Sequence, residues 1–198
     1  LNANGEWEHI EREAYDRGNG AAILLYNTAQ KTIILTRQFR LPTYINDNPD
    51  GYLIEACAGL LDDDNPLDCI RKETREETGY HVSKVEKIFE AYMSPGSVTE
   101  ILHFFIGEYD HSLKQSAGGG AEDESEEIEV LEMTMADALS KIKSGEIKDA
   151  KTIMLIYHVR VEGLLWPDTK THFVLYICNP AQSVWICETR FGITRAIC

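Results

Sequence analysis

Three glutamates, Glu73, Glu76 and Glu77, stand at i, i+3 and i+4 within Gly59–Tyr80, GLLDDDNPLDCIRKETREETGY. If this segment is helical, the three carboxylates share one face. Like charges at that spacing repel by roughly a few tenths of a kcal/mol per pair. Such a cluster calls for a positive partner. The nearest candidates are a divalent metal ion and the adjacent Arg71, Lys72 and Arg75.

The flanking residues support a helix. Asp64 or Asn65 can cap it, Pro66 suits the first turn, and Gly79 suits the residue past the end. Leu67, Ile70 and Thr74 recur at i, i+3 and i+7 and give a narrow face to bury. A strand ending Ala56–Ala58 runs into Gly59, so the unit reads strand, acidic loop, acidic helix. A plain solvated helix with Arg/Glu pairs is one reading of it. A calcium loop is a second: Asp62, Asp64 and Glu73 stand at positions 1, 3 and 12. It fails because position 6, which needs glycine for the sharp turn, is Leu67. The third is a magnesium or manganese site. Mg²⁺ takes one or two protein carboxylates and completes its shell with waters and substrate phosphates.

The rest of the chain alternates strands and helices. Ala21–Tyr26 and Thr32–Phe39 read as a hairpin, Tyr52–Ala58 as a third strand, and Val82–Ala91, Glu100–Tyr109 and Ile128–Met133 as further strands. Trp7–Tyr15 alternates weakly and is expected to be a strand. Met135–Ser144 and Ala150–Val161 read as helices. This order predicts an α/β fold with a mixed sheet between helices. With 198 residues, 43% of them hydrophobic, the chain suits a single domain with a real core. The domain is placed at residues 1–164. From Leu165 to Cys198 the composition changes: only five charged residues remain, with net charge +1, against −14 for the whole chain. This tail is expected to be foreign to the fold and to carry no catalytic role.

The net charge of −14 argues against nucleic acid as a partner, because a phosphate backbone needs a basic face. No apolar run approaches the roughly 20 residues of a membrane span, so no membrane association is expected. The five cysteines lack metal-ligand spacing, and reduced thiols in a cytoplasmic protein are the expectation.

Other charged positions stand out. Arg37 and Arg40, in TRQFRLP, are candidates for a phosphate clamp, since arginine offers planar bidentate donors. Glu100 follows the SPGSVT connection, and Lys151 lies in GEIKDAKT; each is a candidate substrate contact or a surface charge. His103, among Leu102, Phe104 and Phe105, reads as a strand histidine rather than a catalyst. AGGGAEDESEEIEV, Ala117–Val130, places a glycine hinge before a second acidic cluster.

Gly59–Tyr80 resembles the Nudix box, G-x5-E-x7-R-E-U-x-E-E-x-G-U, where U is aliphatic. Gly59, Glu73, Glu76, Glu77 and Gly79 fit, and Tyr80 stands at the last U. The segment is one residue short between Gly59 and Glu73. Lys72 replaces the arginine, and Asn65 and Thr74 stand where the first glutamate and an aliphatic residue belong. AYDRGNGAAILLYN, RQFRLP, EACAGLLD, YMSPGSVTE and GEIKDAKT extend the resemblance over about Glu11–Tyr157, toward the superfamily's sugar-nucleotide branch.

The resemblance implies an α/β/α sandwich and Mg²⁺-dependent (or Mn²⁺-dependent) hydrolysis of a nucleoside diphosphate sugar. GDP-mannose, cleaved to GMP and mannose 1-phosphate, is the expected substrate. ADP-ribose is the rival within the superfamily, and a non-catalytic nucleotide-binding module the rival outside it. The implied metal donors are the Ala58 carbonyl, Glu73, Glu77 and Glu126. Turnover depends on Glu77 and on Glu124 as general base, with the roles of Glu124 and Glu126 open to exchange. Arg40, Gly59, Leu60, Glu100 and Lys151 become substrate contacts. Arg12 and Glu13 match positions that reach across a homodimer, whose N-terminal strands are expected to be largely missing from this sequence.

Overall fold

A computed structural model describes residues 3–120 and 127–165, together with the backbone of residues 174–176, 185–190 and 193–197. The sheet is built around a hairpin that opens. Strands β1 (Gly20–Asn27) and β2 (Thr32–Phe39) pair only near their turn, from Leu25↔Ile34 to Asn27↔Thr32. The Asn27 side chain shapes that turn by accepting from the backbone N–H groups of Ala29 (3.0 Å) and Gln30 (2.9 Å).

Beyond Leu25 the two strands diverge, and residues 52–60 fill the gap as a wedge. Strand β3 (Tyr52–Glu55) pairs with the far half of β2, and β4 (Cys57–Leu60) pairs with the first half of β1. The single strand expected over Tyr52–Ala58 is therefore two, changing partner at Ala56. On the other edge of β1 lies β6 (Ile101–Glu108), parallel to it, and beyond that the antiparallel β5 (Val85–Tyr92). Strand β7 (Glu129–Thr134) runs along the outer edge of β2 and completes seven strands.

Side-chain alternation sends β1 into two cores. Ala21, Ile23 and Leu25 pack with Cys69 and Ile70 of helix α2 (Pro66–Thr78), given after the short α1 (Leu41–Ile45) in chain order. Ala22 and Leu24 face Met135 and Ala138 of α3 (Met135–Ser144) and Leu155, Ile156 and Val159 of α4 (Ala150–Val161). All of Ala21–Leu25 are at most 1% exposed. That explains why AAILL is a continuous apolar run rather than an alternating one. The result is the expected α/β/α sandwich, with α2 on one face and α3 and α4 on the other.

Three further points add to the sequence reading or depart from it. Residues 7–14 form no strand; the segment is exposed, and only Tyr15 makes a bridge, to Val98. Its weak, charged alternation gives it no face to bury. Helix α1 was not anticipated, because a five-residue helix with Pro42 in its first turn leaves no periodic signal. The glycines of AGGG, expected as a hinge, are hydrogen-bonded to the end of α2. Gly119 N–H donates to the Glu77 carbonyl (2.9 Å) and Gly120 N–H to that of Glu76 (3.1 Å), closing the end of α2. Gly118 sits at φ +74°, where any Cβ would strike the Glu77 backbone.

The tail backbone forms a separate antiparallel sheet of β8 (Val174–Tyr176), β9 (Trp185–Arg190) and β10 (Ile193–Ile197). No helix among the described residues is long and apolar enough to cross a membrane.

Candidate active site

The wedge opens onto a cavity of about 590 Å³ where β4 meets α2, a volume ordinary for a small-molecule site. One wall is the predicted box. Asn65 caps α2 by accepting from Leu67 and Asp68 N–H groups at 3.1 Å each. Pro66 opens the helix, and Gly79 closes it in the left-handed conformation, φ 77°. Asn65, a departure from the box pattern, is thus the residue that starts the helix.

The helix brings Glu73 and Glu77 to the cavity. Glu77 is buried, 2% exposed. Glu73 lies across Gly59 so closely that a Cβ on residue 59 would collide with its carboxylate. Glu76 does not line the cavity and pairs instead with Lys72 (3.9 Å). Successive turns carry residues 73 and 77 to nearly the same azimuth, and residue 76 falls to the side.

The rest of the lining carries cations paired with acids and comes from distant segments. Arg40 stands between β2 and α1, and its Nε donates to Glu55 Oε2 at 2.7 Å. Lys151, in the first turn of α4, donates its Nζ to Glu55 Oε1 and lies 3.0 Å from Asp149 Oδ1. Glu100 lines the cavity with Arg17, whose Nε is 3.7 Å from Glu100 Oε1. Ala58, Gly59 and Leu60 complete the floor.

Two cysteines border the box. Burial, then the neighbouring Glu77, pushes the Cys57 thiol well up. Burial, then Glu73 and Asp64, pushes that of Cys69 up to about 11. The carboxylates Glu73 and Glu77 offer oxygen donors, which suit hard cations such as Mg²⁺ or Mn²⁺. Among the described residues, no group of three His, Cys, Asp or Glu forms a metal cage. Magnesium needs none, because one or two carboxylates suffice when substrate and water fill the shell. The Gly59 cradle under Glu73, with Glu77 beside it, fits that requirement.

The cavity unites Arg40, Ala58, Gly59, Leu60, Glu73, Glu77, Glu100 and Lys151. It does not include Arg12 or Glu13. Both are exposed, and Arg12 Nη1 donates to the Glu11 carbonyl at 2.7 Å. Glu124 and Glu126 lie outside the described residues. The pairing of Arg37 with Arg40 as one clamp is overturned. Arg37 bonds Asp50 and Glu129, both at 3.3 Å, stacks on Tyr52, and borders a separate, smaller cavity. Residues 37 and 40, an odd number apart, leave a strand on opposite sides.

Sequence reasoning missed Glu55, Arg17 and Asp149. The signal for Glu55 was present: a lone acid inside the apolar strand YLIEACAG is buried at a cost unless cations meet it.

An acidic helix set against the end of a split strand thus shares one cleft with Arg40 and Lys151. The NUDIX domain family matches residues 16–156, and the chain belongs to that family. Nudix hydrolases generally use divalent metal ions. The chain is 58% identical over 162 residues to the GDP-mannose pyrophosphatase of Cronobacter sakazakii, covering 82% of this chain and 84% of that protein. It is 62% identical over 152 residues to the GDP-mannose pyrophosphatase of Pectobacterium atrosepticum, covering 77% and 78%. To that of Salmonella typhimurium it is 59% identical over 162 residues, covering 82% and 84%.

Proposed function

We propose that this enzyme hydrolyses GDP-mannose to GMP and mannose 1-phosphate with Mg²⁺, Mn²⁺ being the alternative ion. The observation that carries the reading is that one cavity is lined by the box carboxylates Glu73 and Glu77 and by Arg40 and Lys151, which supports an anionic, metal-bound substrate there. The names of the relatives support the choice of sugar nucleotide.

In this reading Glu73, Glu77 and the Ala58 carbonyl hold the metal, with Glu126 as a further ligand. When bound, the ion neutralises phosphate charge and makes water more acidic. Glu124 takes the proton of the water that attacks one phosphorus as the P–O–P bridge breaks; Glu124 and Glu126 exchange roles in the alternative assignment. Arg40 and Lys151 hold phosphate oxygens by directed N–H donors, and Gly59, Leu60 and Glu100 contact the rest of the substrate. Phosphoryl transfer spreads charge over oxygens, so positioning and electrostatics supply most of the catalysis.

Arg12 and Glu13 serve a homodimer by reaching a partner's cavity, a role supported by their exposure outside their own. The catalytic unit is residues 1–164, and the tail has no assigned role. Cytoplasmic residence accords with the free thiols of Cys57 and Cys69.

Product analysis of GDP-mannose turnover in ¹⁸O-water tests the reading and identifies the attacked phosphorus. ADP-ribose runs beside it as the competing substrate. Preferred turnover of ADP-ribose, or absence of GMP among the products, rejects GDP-mannose.

A further inference from the structure

Opposite the box, the cavity holds a second buried carboxylate, Glu55, 3% exposed. A carboxylate so far from water is tolerated only with charged partners. Glu55 has two, drawn from walls far apart in sequence. Oε2 accepts from Arg40 Nε at 2.7 Å, and Oε1 accepts from Lys151 Nζ. The carboxylate is itself held. Its strand is fixed to β2 by the Thr36↔Glu55 pairing, and its backbone carbonyl accepts from Thr36 Oγ1 at 3.3 Å. The next residue, Ala56, donates its N–H to Thr152 Oγ1 at 2.6 Å, locking the strand to the first turn of α4.

The donors left over matter. A guanidinium carries five N–H donors in a rigid fork, and the Nε bond to Glu55 uses one. An ammonium carries three, and Glu55 and Asp149 take two of those of Lys151. Arg40, Lys151, Glu55 and Asp149 together sum to zero formal charge. This side of the cavity therefore attracts an anion by oriented N–H groups rather than by net charge. Orientation depends on the group to which both cations are tied.

We propose that Glu55 is a positioning residue for substrate binding. It never touches the diphosphate. It ties Arg40 and Lys151 together and thereby sets the spacing and direction of the donors that receive the phosphate oxygens. This assignment rests on the reading of Arg40 and Lys151 as phosphate contacts.

The test is a mutant cycle on the full chain with GDP-mannose and Mg²⁺. Glu55→Gln keeps the shape, but its amide accepts from only one cation and points N–H donors at the other. KM is expected to rise about 10-fold or more, with kcat changed far less, because binding geometry is lost in ground and transition states alike. In the Arg40→Gln background the same substitution is expected to cost clearly less than it does alone, since only the route through Lys151 remains.

An unchanged KM in Glu55→Gln overturns the proposal. So does full multiplication of the two losses in the double variant, which would mean that Glu55 acts independently of Arg40. A purely structural role would lower the unfolding temperature and leave KM alone. Should Glu55→Gln not fold, Glu55→Asp carries the same comparison: it keeps the charge but is too short to span both cations. A wild-type protein inert toward GDP-mannose rejects the substrate reading instead. An active wild type with an indifferent Glu55 rejects this inference alone.

Discussion

The backbone N–H of Ala56 donates to Oγ1 of Thr152 at 2.6 Å, joining positions 96 residues apart. Ala56 is where the wedge changes from pairing with β2 to pairing with β1. Its N–H goes to the first turn of α4 rather than to a strand. The same threonine donates its hydroxyl to Asp149, the cap of α4. One fully buried hydroxyl thus joins the discontinuity in the sheet to the helix that carries Lys151.

Thr152→Val keeps the shape and removes that acceptor. A buried N–H left unsatisfied costs about 1–3 kcal/mol, so urea unfolding should show a loss of that order. Thr152→Ser, which retains the hydroxyl, should recover most of it. Equal stability of the valine variant and wild type would mean that Ala56 finds another partner.

Gly59→Ala places a methyl group where the Glu73 carboxylate lies. Glu73 must then leave its position on the cavity wall. A displacement of about 1 Å at a catalytic site can cost on the order of 100-fold in rate. The expected outcome is a loss of that order in kcat with Mg²⁺, and a circular dichroism spectrum like that of wild type. Wild-type turnover would show that Glu73 need not sit over residue 59.

The box was legible in the sequence because its information is local. The cap at Asn65, Pro66 and Gly79 fixes the helix, and helical spacing then carries Glu73 and Glu77 to one face. Helices α3 and α4 were legible for the same reason, and their bounds match the sequence reading. The other wall was not legible from spacing. Glu55, Arg40 and Lys151 meet only because the wedge splits at Ala56 and α4 docks there, and that is tertiary information. Arg40, Glu100 and Lys151 stood out only as charged positions with a surface reading beside each, and the family resemblance made them substrate contacts. A lone acid in YLIEACAG signalled that Glu55 needs cations, but which cations meet it is set by neighbours that the strand does not reveal.

Glu77→Gln removes one metal-type donor while keeping the side chain's volume. Turnover should fall by orders of magnitude, roughly the 100- to 1,000-fold typical of losing one electrostatic catalytic group. The fold should stay intact, because the amide fills the same buried volume. Steady-state kinetics across a Mg²⁺ titration, together with thermal unfolding, check both parts. Near-normal turnover would remove this position from the site.

Cys69 sets a pH window. Its thiol is raised from 9.0 to about 11, first by burial and then by Glu73 and Asp64. In the unfolded chain the same thiol ionises near its ordinary value. Below that value the neutral thiol costs neither state anything. As pH climbs from about 9 toward 11 the unfolded chain releases the proton while the folded one retains it, and folding weakens. Cys69→Ala removes this contribution. The wild-type denaturation midpoint should therefore fall more steeply than that of Cys69→Ala across this range, and the two slopes should agree below pH 8. Parallel slopes up to pH 11 would show that the thiol is not held protonated by the fold.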